Sequence, residues 1–174
     1  HRCASDPETD YGILNTTANF ADNAGQWNDT APTSTLISLG TNGECNASGG
    51  EYLIYAWAPV QGYSKFGTYE GNGNAAQGTF VWTGFRPALI ITKSVEDGGN
   101  WNIFHNRALG YNEENRLMTT NQTAAEIDRN FDILSNGFAP RDSGQSNENN
   151  STYVYAAFAE APFVNSNGVP CNAR

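Results

Sequence analysis

Positive charge is scarce in this sequence: nine Lys and Arg stand against eighteen Asp and Glu, giving a formal net charge of -9 and a pI near 4.5. A chain this acidic is repelled by a phosphate backbone and by an anionic membrane face, which argues against nucleic acid as a partner. Long apolar runs are missing too. The longest, Tyr52 to Val60 and Ala88 to Thr92, fall far short of the roughly 20 residues that span a bilayer, so membrane insertion is not expected. Cys3, Cys45 and Cys171 are too few and too scattered for a disulfide framework or a CxxC zinc site; one bridge with a free thiol, or three thiols, both fit. The chain opens on His1 with no signal or transit pattern, which predicts a processing site or a cut within a longer polypeptide.

What is present suits strands. Hydrophobic residues make up 39% and aromatics 12% of the 174 residues, enough for a packed core, while only 16% are charged. The polar surface therefore comes mainly from Asn, Gly, Ser and Thr, a poor supply for helices and a good one for loops between strands. Short runs rich in β-branched and aromatic residues predict strands at Tyr11 to Asn15, Ser34 to Leu39, Glu51 to Ala58, Gly78 to Thr83, Pro87 to Lys93, Asn100 to His105, Asn130 to Leu134 and Thr152 to Ala159. Glu51 to Ala58 carries apolar groups on both faces, as a central covered strand does. Turn signals separate the runs at Asn72-Gly73-Asn74, Asp97-Gly98-Gly99 and Ser135-Asn136-Gly137. Only Thr123 to Arg129 reads as a helical turn or two. The pattern predicts an all-β protein, an antiparallel β-sandwich or jelly-roll-like unit.

The sequence also echoes itself. His105-Asn-Arg-Ala, Asn121-Gln-Thr-Ala and Thr152-Tyr-Val-Tyr-Ala-Ala-Phe-Ala follow His1-Arg-Cys-Ala, Asn15-Thr-Thr-Ala and Glu51-Tyr-Leu-Ile-Tyr-Ala-Trp-Ala with a period of about 100 residues. This predicts that residues 1–61 are the C-terminal half of one unit, residues 62–164 a complete unit, and residues 165–174 a tail. A half unit leaves sheet edges open, so its missing strands are expected from upstream sequence or a neighbouring subunit.

Gly62-Tyr-Ser-Lys-Phe-Gly-Thr-Tyr-Glu-Gly-Asn-Gly-Asn, Phe80-Val-Trp-Thr-Gly-Phe-Arg-Pro-Ala-Leu-Ile-Ile-Thr-Lys, Asn100-Trp-Asn-Ile-Phe, Phe131-Asp-Ile-Leu-Ser-Asn-Gly-Phe and Thr152 to Phe163, in that order, resemble a repeat domain of marine bacteriophage and prophage tail-fibre-like virion surface proteins. Trp27-Asn-Asp-Thr-Ala-Pro-Thr-Ser-Thr is similar to the closing part of a preceding unit. The chain departs from that pattern at Cys3 and at Asn165 to Cys171. The resemblance implies a non-enzymatic structural or adhesive module on a virion surface, in a fibre, a spike or a capsid-attached protein. Its partners would be further copies of itself, adjacent subunits and host surface glycans, and it implies no catalytic residue and no cofactor.

Residues with chemistry to offer read in simple ways. His1, as a mature terminus, would allow a copper-binding histidine brace with His105, but a third ligand is missing and the repeat puts the two histidines at equivalent points of different units. Asp6, Glu8 and Asp10 alternate like calcium ligands yet lack the Gly and distal Glu of an EF-hand, so they read as a solvated acidic loop. Glu96-Asp97 and Glu113-Glu114 are adjacent rather than facing across a cleft. No GxSxG elbow accompanies the serines, and Gly71-Asn-Gly73 has no helix behind it. Six sequons, at Asn15, Asn28, Asn46, Asn121, Asn149 and Asn150, exceed the roughly three that random placement gives; they would carry glycans only in a eukaryotic secretory pathway. Trp57, Trp82, Trp101, Tyr63 and Tyr69 lie in or near strands and read as core, which leaves Trp27, in a turn-rich stretch, as the glycan-contact candidate. A secreted carbohydrate-binding module, a glycosylated extracellular filament subunit and a copper enzyme using His1 are the alternative readings.

Overall fold

A computed structural model of the chain describes residues 6, 8–108 and 114–161. The fold is all-β and antiparallel. Two short strands, β1 (Asp10–Tyr11) and β2 (Ala21–Asp22), pair with each other, and single-turn helices follow at α1 (Ala24–Trp27) and α2 (Gly43–Asn46). Each helix begins on an asparagine whose side chain accepts a bond from a free amide: Asn23 from Gly25 at 2.9 Å and Asn42 from Glu44 at 2.9 Å. The remaining strands are β3 (Ser64–Glu70), β4 (Val81–Trp82), β5 (Pro87–Ser94), β6 (Asn102–His105), β7 (Glu114–Thr119), β8 (Ile127–Leu134), β9 (Gly137–Pro140) and β10 (Thr152–Ala159). They form one sheet in the order β3-β10-β5-β6-β7-β8-β9-β4.

The sheet folds over on itself, because its inner face is too aromatic to leave in water. Tyr69, Val81, Ile90, Phe104, Leu117, Phe131, Ile133, Phe138, Tyr153, Tyr155 and Ala157 come from all eight strands and make one core. Contacts between strands distant in the sheet show the fold-over: Phe138 of β9 meets Tyr69 of β3 edge-on at 5.8 Å and Tyr155 of β10 at 5.4 Å, and Phe104 stacks on Phe131 at 3.9 Å. The two end strands approach one another, and side chains bridge the seam. Lys65 Nζ donates to the Trp82 carbonyl at 2.8 Å, and Thr79 Oγ1 to the Glu70 carbonyl at 2.7 Å.

β10 is the central strand of its half. It pairs with β3 along its full length on one side and with β5 on the other. Tyr153, Tyr155 and Ala157 face the core, while Phe158 on the opposite face packs edge-on against Tyr63 and Phe66. The loop before it is held by Asn147, which is fully buried. Its amide donates to Asn72 Oδ1 (2.9 Å) and the Asp142 carbonyl (2.8 Å), and its oxygen accepts from the Asn72 amide (3.1 Å). Burying an amide is tolerated only when it is bonded in this way.

Several sequence expectations give way here. Ser34 to Leu39 and Glu51 to Ala58 form no strand. All of residues 51–58 are exposed, so their apolar faces are not covered; strand-forming side chains make a strand only where a neighbour offers amides and carbonyls. Tyr11 to Asn15 shrinks to Asp10–Tyr11, and Gly78 to Thr83 to Val81–Trp82. Thr123 to Arg129 is not helical: 123–126 are irregular and Ile127 opens β8, where pairing to Leu117 of β7 outweighs a helical preference that is small per residue. Strands β3, β7 and β9 carry too few alternating apolar residues to be read from sequence.

Candidate interaction surface

The residues with chemistry to offer are scattered, and several are tied into local structure. Asp10 accepts from the Asp6 amide at 3.0 Å and so caps its own turn. Asp97 accepts from the Ser151 hydroxyl, and Glu96 Oε1 from the Thr152 hydroxyl at 3.5 Å. His105 Nδ1 accepts from the Arg107 amide at 3.3 Å. The Cys45 thiol lies 3.5 Å from the carbonyls of Gln26 and Asn42. Among the described residues no three His, Cys, Asp or Glu side chains group as metal ligands. His1, Cys3, Cys171, Glu113 and residues 165–174 lie outside the described residues.

The sequons differ in how free their amides are. Asn15, Asn28, Asn149 and Asn150 are exposed. Asn46 donates its side-chain amide to the Gly40 carbonyl at 2.7 Å. Asn121 donates to Asn100 Oδ1 at 2.8 Å and accepts from the Trp101 amide at 3.1 Å, so its nitrogen is already committed. A shallow depression lined by Asn15 and 120–124 brings the first and fourth sequons side by side.

Aromatic placement departs from expectation. Trp27 is half-buried, and its indole N–H donates to the Asp10 carbonyl at 3.2 Å. Trp101 is half-buried as well, donating to the Ile13 carbonyl at 2.9 Å. Trp57 and Trp82, read as core, are 66% and 58% exposed, and Tyr63 is 45% exposed. For Trp82 the cause is alternation: Val81 points inward, so its neighbour points out. Trp57 has no sheet to enter. Tyr69 alone of the five is buried, with its hydroxyl donating to the Ser146 carbonyl at 2.7 Å.

The exposed apolar side chains gather instead along one stretch of chain. Tyr52, Leu53, Ile54, Tyr55, Trp57 and Val60 are 44–77% exposed, and the rings of Tyr55 and Trp57 lie 6.2 Å apart with 19° between their planes. The stretch is fixed at both ends. At one, the Tyr52 hydroxyl donates to the Gly43 carbonyl at 2.5 Å and accepts from the Ala47 amide at 2.9 Å. At the other, Val60 and Ser64 exchange main-chain bonds of 3.0 and 2.9 Å around Gly62, whose φ of 74° suits glycine. So many exposed apolar side chains in one stretch are unusual for a solvated loop.

Where this stretch meets the sheet, a groove of about 660 Å³ opens between 59–65 and 82–85, with Ser135 and Asn136 on its rim. Lys65 Nζ sits 4.0 Å from the centre of the Trp82 ring, a cation–π contact. Loss of solvent lowers the Lys65 pKa. The groove thus offers an exposed indole, a cation, and neighbouring hydroxyl and amide groups, with no pair of acids placed for bond cleavage.

The domain of unknown function DUF7483 matches residues 1–162, and the chain belongs to that family. No curated protein and no solved structure matches it.

Proposed function

We propose that this member of the DUF7483 family is a non-enzymatic structural and adhesive module of an extracellular assembly, a virion fibre, spike or capsid-attached protein, working through contact with further copies of its own repeat and with adjacent subunits. The exposed apolar stretch from Tyr52 to Val60, held at both ends, is the observation that carries this reading. A net charge of -9 and a surface rich in Asn, Gly, Ser and Thr fit a module displayed to solvent. Many weak contacts on one particle give avidity without a single strong site. Mass spectrometry of density-purified particles and of the particle-free fractions from the same native source tests it. Peptides of this chain co-purifying with capsid protein and nucleic acid support the proposal; recovery only from the particle-free fractions overturns it.

A second reading places a host glycan at the Trp82 groove, where an exposed indole lies beside Lys65, Ser135 and Asn136. Saturable binding on a glycan array, lost in Trp82→Ala and kept in Trp27→Ala, is its expected signature. Equal loss in both variants, or no binding, overturns it.

A further inference from the structure

The internal repeat can be compared bond by bond. Asp10 pairs with Asp22 and Tyr11 with Ala21; 106 residues further on, Arg116 pairs with Asp128 and Leu117 with Ile127. Both hairpins enclose nine residues and keep the same register, though one lies in an eight-stranded sheet and the other stands alone. The turn preceding β10 recurs as well, at a spacing of 101 residues. The Ser151 amide donates to the Glu148 carbonyl at 3.2 Å, and the Gly50 amide to the Ala47 carbonyl at 3.0 Å. Asn150 is left-handed with φ 64°, and Gly49 has φ 76°. The Glu148 amide donates to the Tyr153 hydroxyl at 3.0 Å, and the Ala47 amide to the Tyr52 hydroxyl at 2.9 Å.

The likeness ends where the strand begins. Tyr153 and Tyr155 are 1% and 5% exposed between β3 and β5, whereas Tyr52 and Ile54, which match them, are 44% and 54% exposed with no strand on either side among the described residues. A turn so specifically built to launch a strand, followed by Tyr-Leu-Ile-Tyr-Ala-Trp-Ala in place of Tyr-Val-Tyr-Ala-Ala-Phe-Ala, points to a strand awaiting its neighbours.

We infer that Tyr52–Ala58 is the central strand of a second sheet, and that its two flanking strands are the counterparts of β3 and β5 supplied by a further copy of the repeat unit. Tyr52, Ile54 and Ala56 then face a core, as Tyr153, Tyr155 and Ala157 do. Leu53, Tyr55 and Trp57 form the opposite face, where Trp57 takes the place of Phe158 against aromatic neighbours like Tyr63 and Phe66. A second whole copy of this chain is a poor donor, because its β3 and β5 already hold its own β10. The inference deepens the assembly role proposed above but does not depend on a virion setting.

The test is a fusion in which residues 62–104 are placed ahead of His1, so that copies of β3 to β6 precede the unpaired half. Amide exchange followed by mass spectrometry is compared between the fusion and the unfused chain. Slowing of exchange across Tyr52–Ala58 by at least ~100-fold in the fusion is expected, together with a blue shift of emission that Trp57→Phe removes. Ile54→Lys in the fusion should abolish the protection while β10 stays protected, which controls for loss of folding. Unchanged exchange across Tyr52–Ala58 with β10 protected overturns the inference. So does protection in the unfused chain that grows with concentration, since the occupant would then be a second copy. Failure to find the chain on particles would leave this result untouched.

Discussion

Tyr153 and Ala157 in β10 are 1% and 0% exposed, while Tyr52, in the stretch that matches β10, is 44% exposed and Ala56 lies open beside it. The two segments have similar residues, the same preceding turn and the same tyrosine hydroxyl bond. What separates them is the presence of β3 and β5. A strand's stability therefore resides in its neighbours: they supply the ladder of main-chain bonds and remove from water apolar area worth roughly 25 cal/mol per Å².

The comparison can be broken most sharply with a charge. Ala157→Asp puts a carboxylate where no water reaches and should cost more than ~4 kcal/mol, leaving the chain unfolded, whereas Ala56→Asp should shift the urea midpoint of this chain hardly at all. Truncation comes next. Tyr153→Ala should cost about 3–5 kcal/mol, and Tyr52→Ala about 1–2 kcal/mol, the worth of its two exposed hydroxyl bonds to Gly43 and Ala47. Both are read from urea unfolding followed by far-UV circular dichroism.

The loops before the two segments extend the series, since Asn147 and Asn46 also stand 101 residues apart. Buried Asn147 ties its own loop to residues 72–74, so Asn147→Ala should lose about 2–3 kcal/mol; Asn46→Ala, losing one bond near the surface, should lose about 0.5–1 kcal/mol.

The gentlest probe is pH. Burial raises the Tyr153 hydroxyl pKa to about 12 and that of Tyr69 well above its ordinary value. In the unfolded chain both ionise near 10. The folded state thus holds protons that the unfolded state has released, and stability present below about pH 10 is lost as pH rises toward 12. Lys65 and Lys93, lowered by desolvation, work the other way, adding stability as pH rises toward the unfolded lysine range. Urea midpoints measured between about pH 8 and 12 should pass through a maximum near 10 and then fall, with a shallower fall in Tyr153→Phe.

Pro87 to Lys93, Asn100 to His105, Asn130 to Leu134 and Thr152 to Ala159 were readable because they are central strands whose apolar residues have to be covered. The strand β3 was not, since Ser64-Lys-Phe-Gly-Thr-Tyr-Glu sits at the sheet's edge and tolerates polar residues. Glu51 to Ala58 was read as covered because local pattern carries no information about whether neighbours exist. Trp82 was read as core for a related reason: a two-residue strand gives alternation too little length to show which side faces out. The echo between the two halves was visible in the residues, but the shared registers and turns appear only in three dimensions.

Lys65 and Lys93 are the two lysines of the chain. Lys65 reaches solvent beside Trp82, whereas Lys93 has no exposed surface and its Nζ has no hydrogen-bond partner among the described residues. An acylating reagent therefore meets one side-chain amine promptly and the other only when the sheet opens. The second acylation event is a built-in clock for that opening, timing how long the folded sheet persists without any added probe.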